Sequence, residues 1–134
     1  MVDTSVWSHY LRRHRFNPDD PYVQALLAHT RADDAVLTIG VILEEILSGV
    51  RSDKDFDWVL RVMSRVPMIP LGRETYVSAA RLRNRCRTQG VQATTVDCLI
   101  AATCIERGYP LLTADRDFVH IAEHSELILL PPLG

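Results

Sequence analysis

Short apolar runs, rich in β-branched and aliphatic residues, alternate along the chain with longer segments whose apolar positions recur every three or four residues. The short runs predict strands at 1–3, 35–39, 66–69, 110–113 and 127–130. The longer segments predict helices at 4–13, 20–30, 41–48, 53–64, 73–87, 95–107 and 116–120. This alternation is typical of an α/β protein, so we predict a parallel sheet with helices on both sides.

Several helix ends are marked by residues that commonly cap helices. Asp20 precedes a proline at the start of the second predicted helix, and Thr94 precedes the sixth. Gly49 and Gly108 follow helical runs, as C-terminal caps do. The first predicted strand is only two or three residues long, which predicts a fraying edge or a start a few residues late.

Length and composition fit one ordinary globular domain over residues 1–134, since 47% of residues are hydrophobic and 24% are charged. The most apolar stretches, 35–47 and 96–105, are too short to cross a bilayer, and each contains a carboxylate. No export signal is visible. The three cysteines lack CxxC spacing, which predicts reduced thiols in a cytoplasmic protein without membrane association.

Positive charge is unevenly distributed, although the net charge is only -2. Of the 15 basic residues only Lys54 is a lysine, and the segment 73–87 contains five arginines with Glu74 as its single acid. Guanidinium groups bind phosphate through two parallel hydrogen bonds, so the segment indicates a partner that carries phosphate. A solvated helix that happens to be rich in arginine is the alternative.

A carboxylate within apolar sequence is the most informative anomaly. Asp97 is the only charged residue between Val96 and Ile105. A buried carboxylate without a partner is strongly disfavoured, because it loses its hydration. Asp97 therefore either caps the start of its helix or faces a cation.

The same pattern recurs at other predicted element ends. Glu44 and Glu45 are the only charges from 35 to 47, Asp3 ends the first predicted strand, and Asp115 and Asp117 follow the fourth. The carboxyl ends of parallel strands share one edge, so these acids can converge there. Like charges need a neutralising partner, and oxygen ligands favour Mg²⁺ or Mn²⁺. The chemistry that this site predicts is hydrolysis of phosphodiester bonds.

Four blocks, in this order and spacing, resemble the PIN-domain ribonucleases and most closely the VapC toxins of toxin-antitoxin pairs. The blocks are Val2-Asp3-Thr4-Ser5-Val6-Trp7, Glu45-Ile46-Leu47-Ser48-Gly49, Asp97-Cys98-Leu99-Ile100-Ala101-Ala102-Thr103 and Leu112-Thr113-Ala114-Asp115-Arg116-Asp117-Phe118. The resemblance implies a three-layer α/β/α sandwich and endonucleolytic RNA cleavage with Mg²⁺ or Mn²⁺. It also implies a cognate antitoxin, a homodimer and a larger complex of toxin and antitoxin.

The resemblance also assigns roles to single residues. The implied catalytic acids are Asp3, Glu45, Asp97 and Asp115, of which Asp3, Asp97 and Asp115 bind the metal. Glu45 is chosen over Glu44 by its spacing to Gly49. Supporting hydrogen bonds are expected from Thr4, Ser5, Thr113 and Asp117, although capping explains Thr4 or Ser5 equally well. From the arginine-rich segment, we expect Arg73, Arg81 and Arg85 to contact RNA.

Two other functions compete with this interpretation. One is a non-catalytic domain that binds RNA or antitoxin and keeps a nuclease-like fold. The other is a nuclease of the same fold that acts on structured DNA. Relatives usually carry a few more aliphatic residues before the first aspartate, so Asp3 is the least secure member of the predicted site.

Overall fold

The computed structural model describes residues 1–11 and 16–132, and seven helices account for most of this part of the chain. They are α1 Thr4–Tyr10, α2 Pro21–Arg31, α3 Gly40–Ser48, α4 Asp53–Met63, α5 Arg73–Thr88, α6 Thr95–Arg107 and α7 Asp117–Glu123. Each corresponds to one predicted helix, with ends that differ by a few residues. The first was predicted to reach Arg13, but α1 ends at Tyr10, and residues 12 and 13 lie outside the described residues.

The predicted caps end the helices as local chemistry requires. The carboxylate of Asp20 accepts a hydrogen bond from the Tyr22 backbone N–H at 2.9 Å, and Pro21 fills the first helical position. Gly108 ends α6 with φ at 67°, in the left-handed region that favours glycine. Gly49 ends α3 with φ at -82°, which any residue could adopt.

The predicted strands are joined by single parallel bridges rather than by continuous ladders. These bridges are Thr38 with Met68, Val2 with Leu112, and Leu111 with Leu129. A hydrogen bond from the Val2 N–H to the Leu37 carbonyl, at 3.3 Å, connects the first two pairs. Parallel pairing agrees with an α/β fold, but no continuous strand forms within the described residues, so the predicted regular sheet is not confirmed.

Proline helps to explain why these pairings are short. Pro67 and Pro110 lie inside two of the predicted strands, and neither has a backbone N–H to donate. The bridged segments nevertheless run side by side in the order 66–69, 35–39, 1–3, 110–113 and 127–130. The segment 1–3 therefore lies in the middle of the bridged set.

The prediction that this first segment frays is wrong. Met1, Val2 and Asp3 are all buried. The Met1 amino group donates to the Pro110 carbonyl at 3.2 Å, and the Asp3 N–H donates to the Leu112 carbonyl at 3.0 Å. Burial lowers the pKa of the amino group, because the charged form loses hydration. Neighbours on both sides thus hold a segment too short to be stable alone.

The core is centred on α6, which is buried around most of its circumference. Its buried residues are Cys98, Ile100, Ala101, Ala102, Thr103 and Cys104. The predicted apolar stripe of α3 faces the same core through Ile42 and Ile46. All three cysteines are buried free thiols, in agreement with the prediction. Within residues 1–11 and 16–132, no helix combines the length and the apolar character needed to cross a membrane.

Candidate active site

Asp3 is the buried carboxylate of the site, with only 5% of its surface exposed. It is the N-cap of α1, and one of its oxygens, Oδ2, receives all of its described hydrogen bonds. The donors are the Ser5 hydroxyl at 2.8 Å, the Thr113 hydroxyl at 2.9 Å and the Ser5 backbone N–H at 3.4 Å. Three donors on one oxygen leave the other carboxylate oxygen available for a ligand.

Two hydroxyl groups fasten Asp3 to the segment that carries Asp115. Thr113 donates to Asp3 and accepts the Asp115 backbone N–H at 3.0 Å. Ser5 donates to Asp3 and accepts the Ala114 N–H at 2.9 Å. Asp3 and Thr113 are 110 residues apart in sequence. The start of the chain and a loop near its other end are therefore held in register by side chains as well as by backbone.

Asp97 lies in the first turn of α6, close to the other acids. Burial, together with the charges of Asp115, Asp3 and Asp117, raises the pKa of its carboxyl to about 6, although a hydrogen bond to Thr94 opposes the shift. The proximity of these acids in space is what the sequence pattern predicted for Asp3, Asp97 and Asp115.

The interpretation of Asp97 as the helix cap is wrong. Thr94 is the N-cap of α6, and its hydroxyl accepts the Asp97 backbone N–H at 3.0 Å. A carboxylate in the first helical turn is normally stabilised by the helix dipole, which lowers its pKa. The pKa of Asp97 shifts the other way, so burial and the neighbouring carboxylates outweigh the dipole.

Asp97, Asp115 and Asp117 form the tightest group of carboxylates, with one oxygen from each lying within 4.8 Å of the others. Asp117 begins α7, and its backbone N–H donates to Asp115 at 2.9 Å. Within the described chain, no arginine, lysine or histidine forms an ion pair with any of the three.

This donor set fits a small divalent cation. Oxygens on opposite sides of a bound Mg²⁺ are about 4.2 Å apart, so small side-chain rotations would suffice. These three carboxylates have no basic partner among residues 1–11 and 16–132, and one of them has a raised pKa. A bound cation would relieve their mutual repulsion. Asp117, expected only in a supporting role, belongs to this group, whereas Asp3 lies beside it.

Glu45 approaches the site from α3. Its carboxylate accepts a hydrogen bond from the Thr4 hydroxyl at 3.1 Å, and Thr4 is the residue after Asp3. The neighbouring Glu44 is also exposed, but its side chain has no such contact among the described residues. Thr4 and Ser5 therefore do not cap α1. Thr4 contacts Glu45, while Asp3 itself is the cap.

The three arginines expected to contact RNA do not lie together. Arg81 and Arg85 line a pocket of about 320 Å³ that also contains Glu106 and Glu126. Arg73 is the first residue of α5, about 12 Å along the helix axis from Arg81 and about 18 Å from Arg85. Two other arginines, Arg83 and Arg87, line a groove with Thr94, the cap of the helix that carries Asp97. Helical periodicity could have separated these two faces of α5.

The sequence is similar to known ribonucleases along most of its length. It matches the PIN domain family over residues 1–124. Ribonuclease VapC1 of Rickettsia felis is 35% identical over 121 residues, which cover 90% of this chain and 78% of that protein. Ribonuclease VapC11 of Mycobacterium tuberculosis is 30% identical over 129 residues, 95% of this chain and 94% of that protein.

The fold is similar to that of a solved toxin-antitoxin protein. In its crystal structure, VapBC2 from Rickettsia felis is bound to a DNA fragment from the promoter. That structure superposes on this chain with a TM-score of 0.78 and 20% sequence identity. The match covers 97% of this chain and 96% of the other. The chain belongs to the PIN domain family and, within it, to the VapC ribonucleases.

Proposed function

We propose that this protein is the toxin of a toxin-antitoxin pair, an endoribonuclease that hydrolyses RNA phosphodiester bonds with Mg²⁺ or Mn²⁺. The group of Asp97, Asp115 and Asp117, which has no basic partner within the described chain, is the observation that carries the proposal. The relatives of this chain that are named VapC ribonucleases support the proposed ribonuclease activity. We also propose that residues 1–134 act as one domain and that the bridged segments form the middle layer of an α/β/α sandwich.

In this proposal the acids have different roles. Asp97, Asp115 and Asp117 hold the cation with Asp3 beside them, and Ser5 and Thr113 fix the orientation of Asp3. A bound Mg²⁺ or Mn²⁺ would polarise the phosphate and acidify a water molecule. Glu45 lies outside the group of three and is free to orient the attacking water and accept its proton, with Thr4 holding the carboxylate in place.

Cleavage of total RNA, with and without a chelator, tests the activity. We expect cleavage in Mg²⁺ or Mn²⁺ that EDTA abolishes. Asp97→Asn removes a charge and should abolish cleavage. Glu45→Gln should slow it by about 100-fold, as loss of a general base does, whereas the matched Glu44→Gln should cleave like wild type. RNA binding without cleavage in Mn²⁺ would instead support the non-catalytic alternative.

We further propose a cognate antitoxin as the protein partner, together with a homodimer of the toxin and a larger complex of both proteins. Its relationship to VapC proteins supports this proposal. Light scattering of the protein alone and after co-expression with the product of an adjacent short gene measures both assemblies. A monomer that binds no such product would contradict it.

A further inference from the structure

One face of α5 carries a stripe of side chains that lies beside the first two turns of α6. Tyr76, Ala80, Arg83 and Arg87 follow one another at intervals of four, three and four residues, so they share one face of the helix. A groove of about 250 Å³ lies between this face and α6. Its apolar lining includes Ala79, Ala80, Val96 and Leu99, beside Tyr76 and Arg83. Tyr76 is 55% exposed, so its ring is accessible from solvent.

The cationic end of this stripe lies beside the loop that leads into α6. Arg83 and Arg87 line a second groove, of about 390 Å³, with residues 91–94. The Arg83 Nε donates to the Ala93 carbonyl at 3.1 Å, which fixes the side chain and leaves its terminal nitrogens as donors. The last residue of that loop is Thr94, whose hydroxyl accepts the Asp97 N–H. One end of the stripe therefore lies beside the cap of the helix that carries Asp97.

The positive charge of these two arginines is not neutralised within the described chain. Arg87 donates to the Asn84 amide oxygen at 2.8 Å, and neither guanidinium forms an ion pair with a carboxylate. Arg81 and Arg85, on the other face of α5, share their pocket with Glu106 and Glu126. The same helix thus presents one face of uncompensated positive charge and one of mixed charge.

Without its cation the carboxylate cluster would repel the phosphates of a substrate, so a nearby cationic surface would help to hold the strand. We propose that the stripe of Tyr76, Arg83 and Arg87 binds single-stranded RNA next to the acid site. Arg83 and Arg87 contact phosphates, and Tyr76 stacks on a base over the apolar groove. The inference rests on the proposed ribonuclease function and names where its substrate lies.

The arginines are tested by the salt dependence of RNA binding. A short, fluorescently labelled single-stranded RNA is titrated with the protein in EDTA, at several salt concentrations. The Arg83→Gln, Arg87→Gln double variant should bind more weakly and reduce the slope of log K against log salt by about 1.4, since each lost phosphate contact removes about 0.7. The matched Arg81→Gln, Arg85→Gln variant loses the same charge and should change the slope by less than half as much.

Tyr76 is tested by its aromatic ring. Tyr76→Ala should weaken RNA binding about tenfold, because the stacked base loses its partner, whereas Tyr76→Phe keeps the ring and should bind like wild type. Thermal unfolding confirms that each variant is folded. Light scattering of Tyr76→Ala shows whether the groove instead joins two copies of the chain. A dimer lost in that variant with RNA affinity unchanged would overturn the proposal.

The failure of this inference and that of the proposed function give different results. If the wild-type protein cleaves RNA but both arginine pairs contribute equally to the salt slope, the proposed RNA-binding surface is overturned and the proposed ribonuclease function is not. Wild type that neither binds nor cleaves RNA in Mg²⁺ or Mn²⁺ would overturn both. Unequal slopes, together with weaker binding by Tyr76→Ala and wild-type binding by Tyr76→Phe, would support the surface as described.

Discussion

At the scale of single residues, the site depends on carboxylates kept close together without basic partners in the described part of the chain. Asp97 is the clearest case, because burial and three neighbouring acids raise its pKa to about 6. An unfolded chain would lose that proton near pH 3.8. Between these values the native state binds more protons than the unfolded state, so the stability of the metal-free protein falls as pH rises from about 4 to about 6.

Asp97→Asn imitates the protonated carboxyl and should therefore stabilise the metal-free protein at neutral pH. The expected gain in the free energy of unfolding is about 1 to 2 kcal/mol at pH 7, reduced from the full pKa shift because Asp97 is partly exposed to solvent. At pH 4 the variant and wild type should be equally stable. Urea unfolding in EDTA at both pH values measures the difference, and a variant less stable than wild type at pH 7 would contradict it.

The Thr113 hydroxyl supports two acids at once, since it donates to Asp3 and accepts the Asp115 N–H. Thr113→Val keeps the shape but leaves both groups without that partner. We expect a loss of about 1 to 3 kcal/mol in stability and a 10- to 100-fold fall in cleavage rate. Thr113→Ser, which keeps the hydroxyl, is the control. Equal cleavage by the valine and serine variants would show that the hydroxyl has no part in the site.

The sequence identified these residues unequally, for a physical reason. Asp97 could be predicted because it is the single charge in an apolar segment. Asp3 and Asp115 could be predicted because each follows a short apolar run. Asp117 was placed second, because its proximity to Asp97 and Asp115 depends on a hydrogen bond in the loop between Asp115 and α7. Such a turn follows from the three-dimensional path of the loop rather than from periodicity.

At the scale of elements, the helices form as predicted, whereas the predicted strand segments pair only through single bridges within the described residues. Helix bonds and caps are local, so the three- and four-residue period and residues such as Thr94 set the helix ends. Strand pairing depends on neighbours that are distant in sequence. The segments at Val2, Thr38 and Leu111 each pair through single bridges, which no periodicity specifies.

Thr94 connects helix stability with the site, because it caps α6 immediately before Asp97. Thr94→Ala should cost about 1 kcal/mol of unfolding free energy, and Thr94→Ser should retain it. We expect cleavage by the alanine variant to fall as well, since the first turn of α6 carries Asp97. Thermal unfolding and RNA cleavage are measured on the same preparations. An alanine variant as stable as wild type would show that the cap bond contributes nothing.

At the scale of the whole molecule, the acids belong to separate elements. Asp3 caps α1, Glu45 lies in α3, Asp97 in α6, and Asp117 begins α7. The sequence predicted their convergence from parallel connectivity, but it did not separate the face of α5 that carries Arg81 and Arg85 from the face that carries Arg83 and Arg87. That face follows from the packing of α5 against α6 and the loop that joins them.

A cation held by groups from several elements binds the folded protein and not the unfolded one. Mn²⁺ at about 100 times its dissociation constant should therefore add about 2.7 kcal/mol of stability at pH 7. The gain should shrink at pH 5, where Asp97 is largely protonated, and nearly vanish in Asp97→Asn. Thermal unfolding with and without Mn²⁺ measures it, with Glu44→Gln as the matched control. The same gain in Asp97→Asn would exclude that carboxylate from the site.

The hydroxyl contacts between Ser5, Asp3 and Thr113 also bear on how the protein is made. Ribosomes build chains from the amino terminus, so Asp3 emerges first, and Thr113 to Asp117 follow more than a hundred residues later. Until that last portion has left the exit tunnel, a nascent chain has Ser5 but lacks the Thr113 donor to Asp3 and two of the three clustered carboxylates. The proposed ribonuclease would therefore gain its cation site, and with it the means to cut RNA, only after this late segment has emerged.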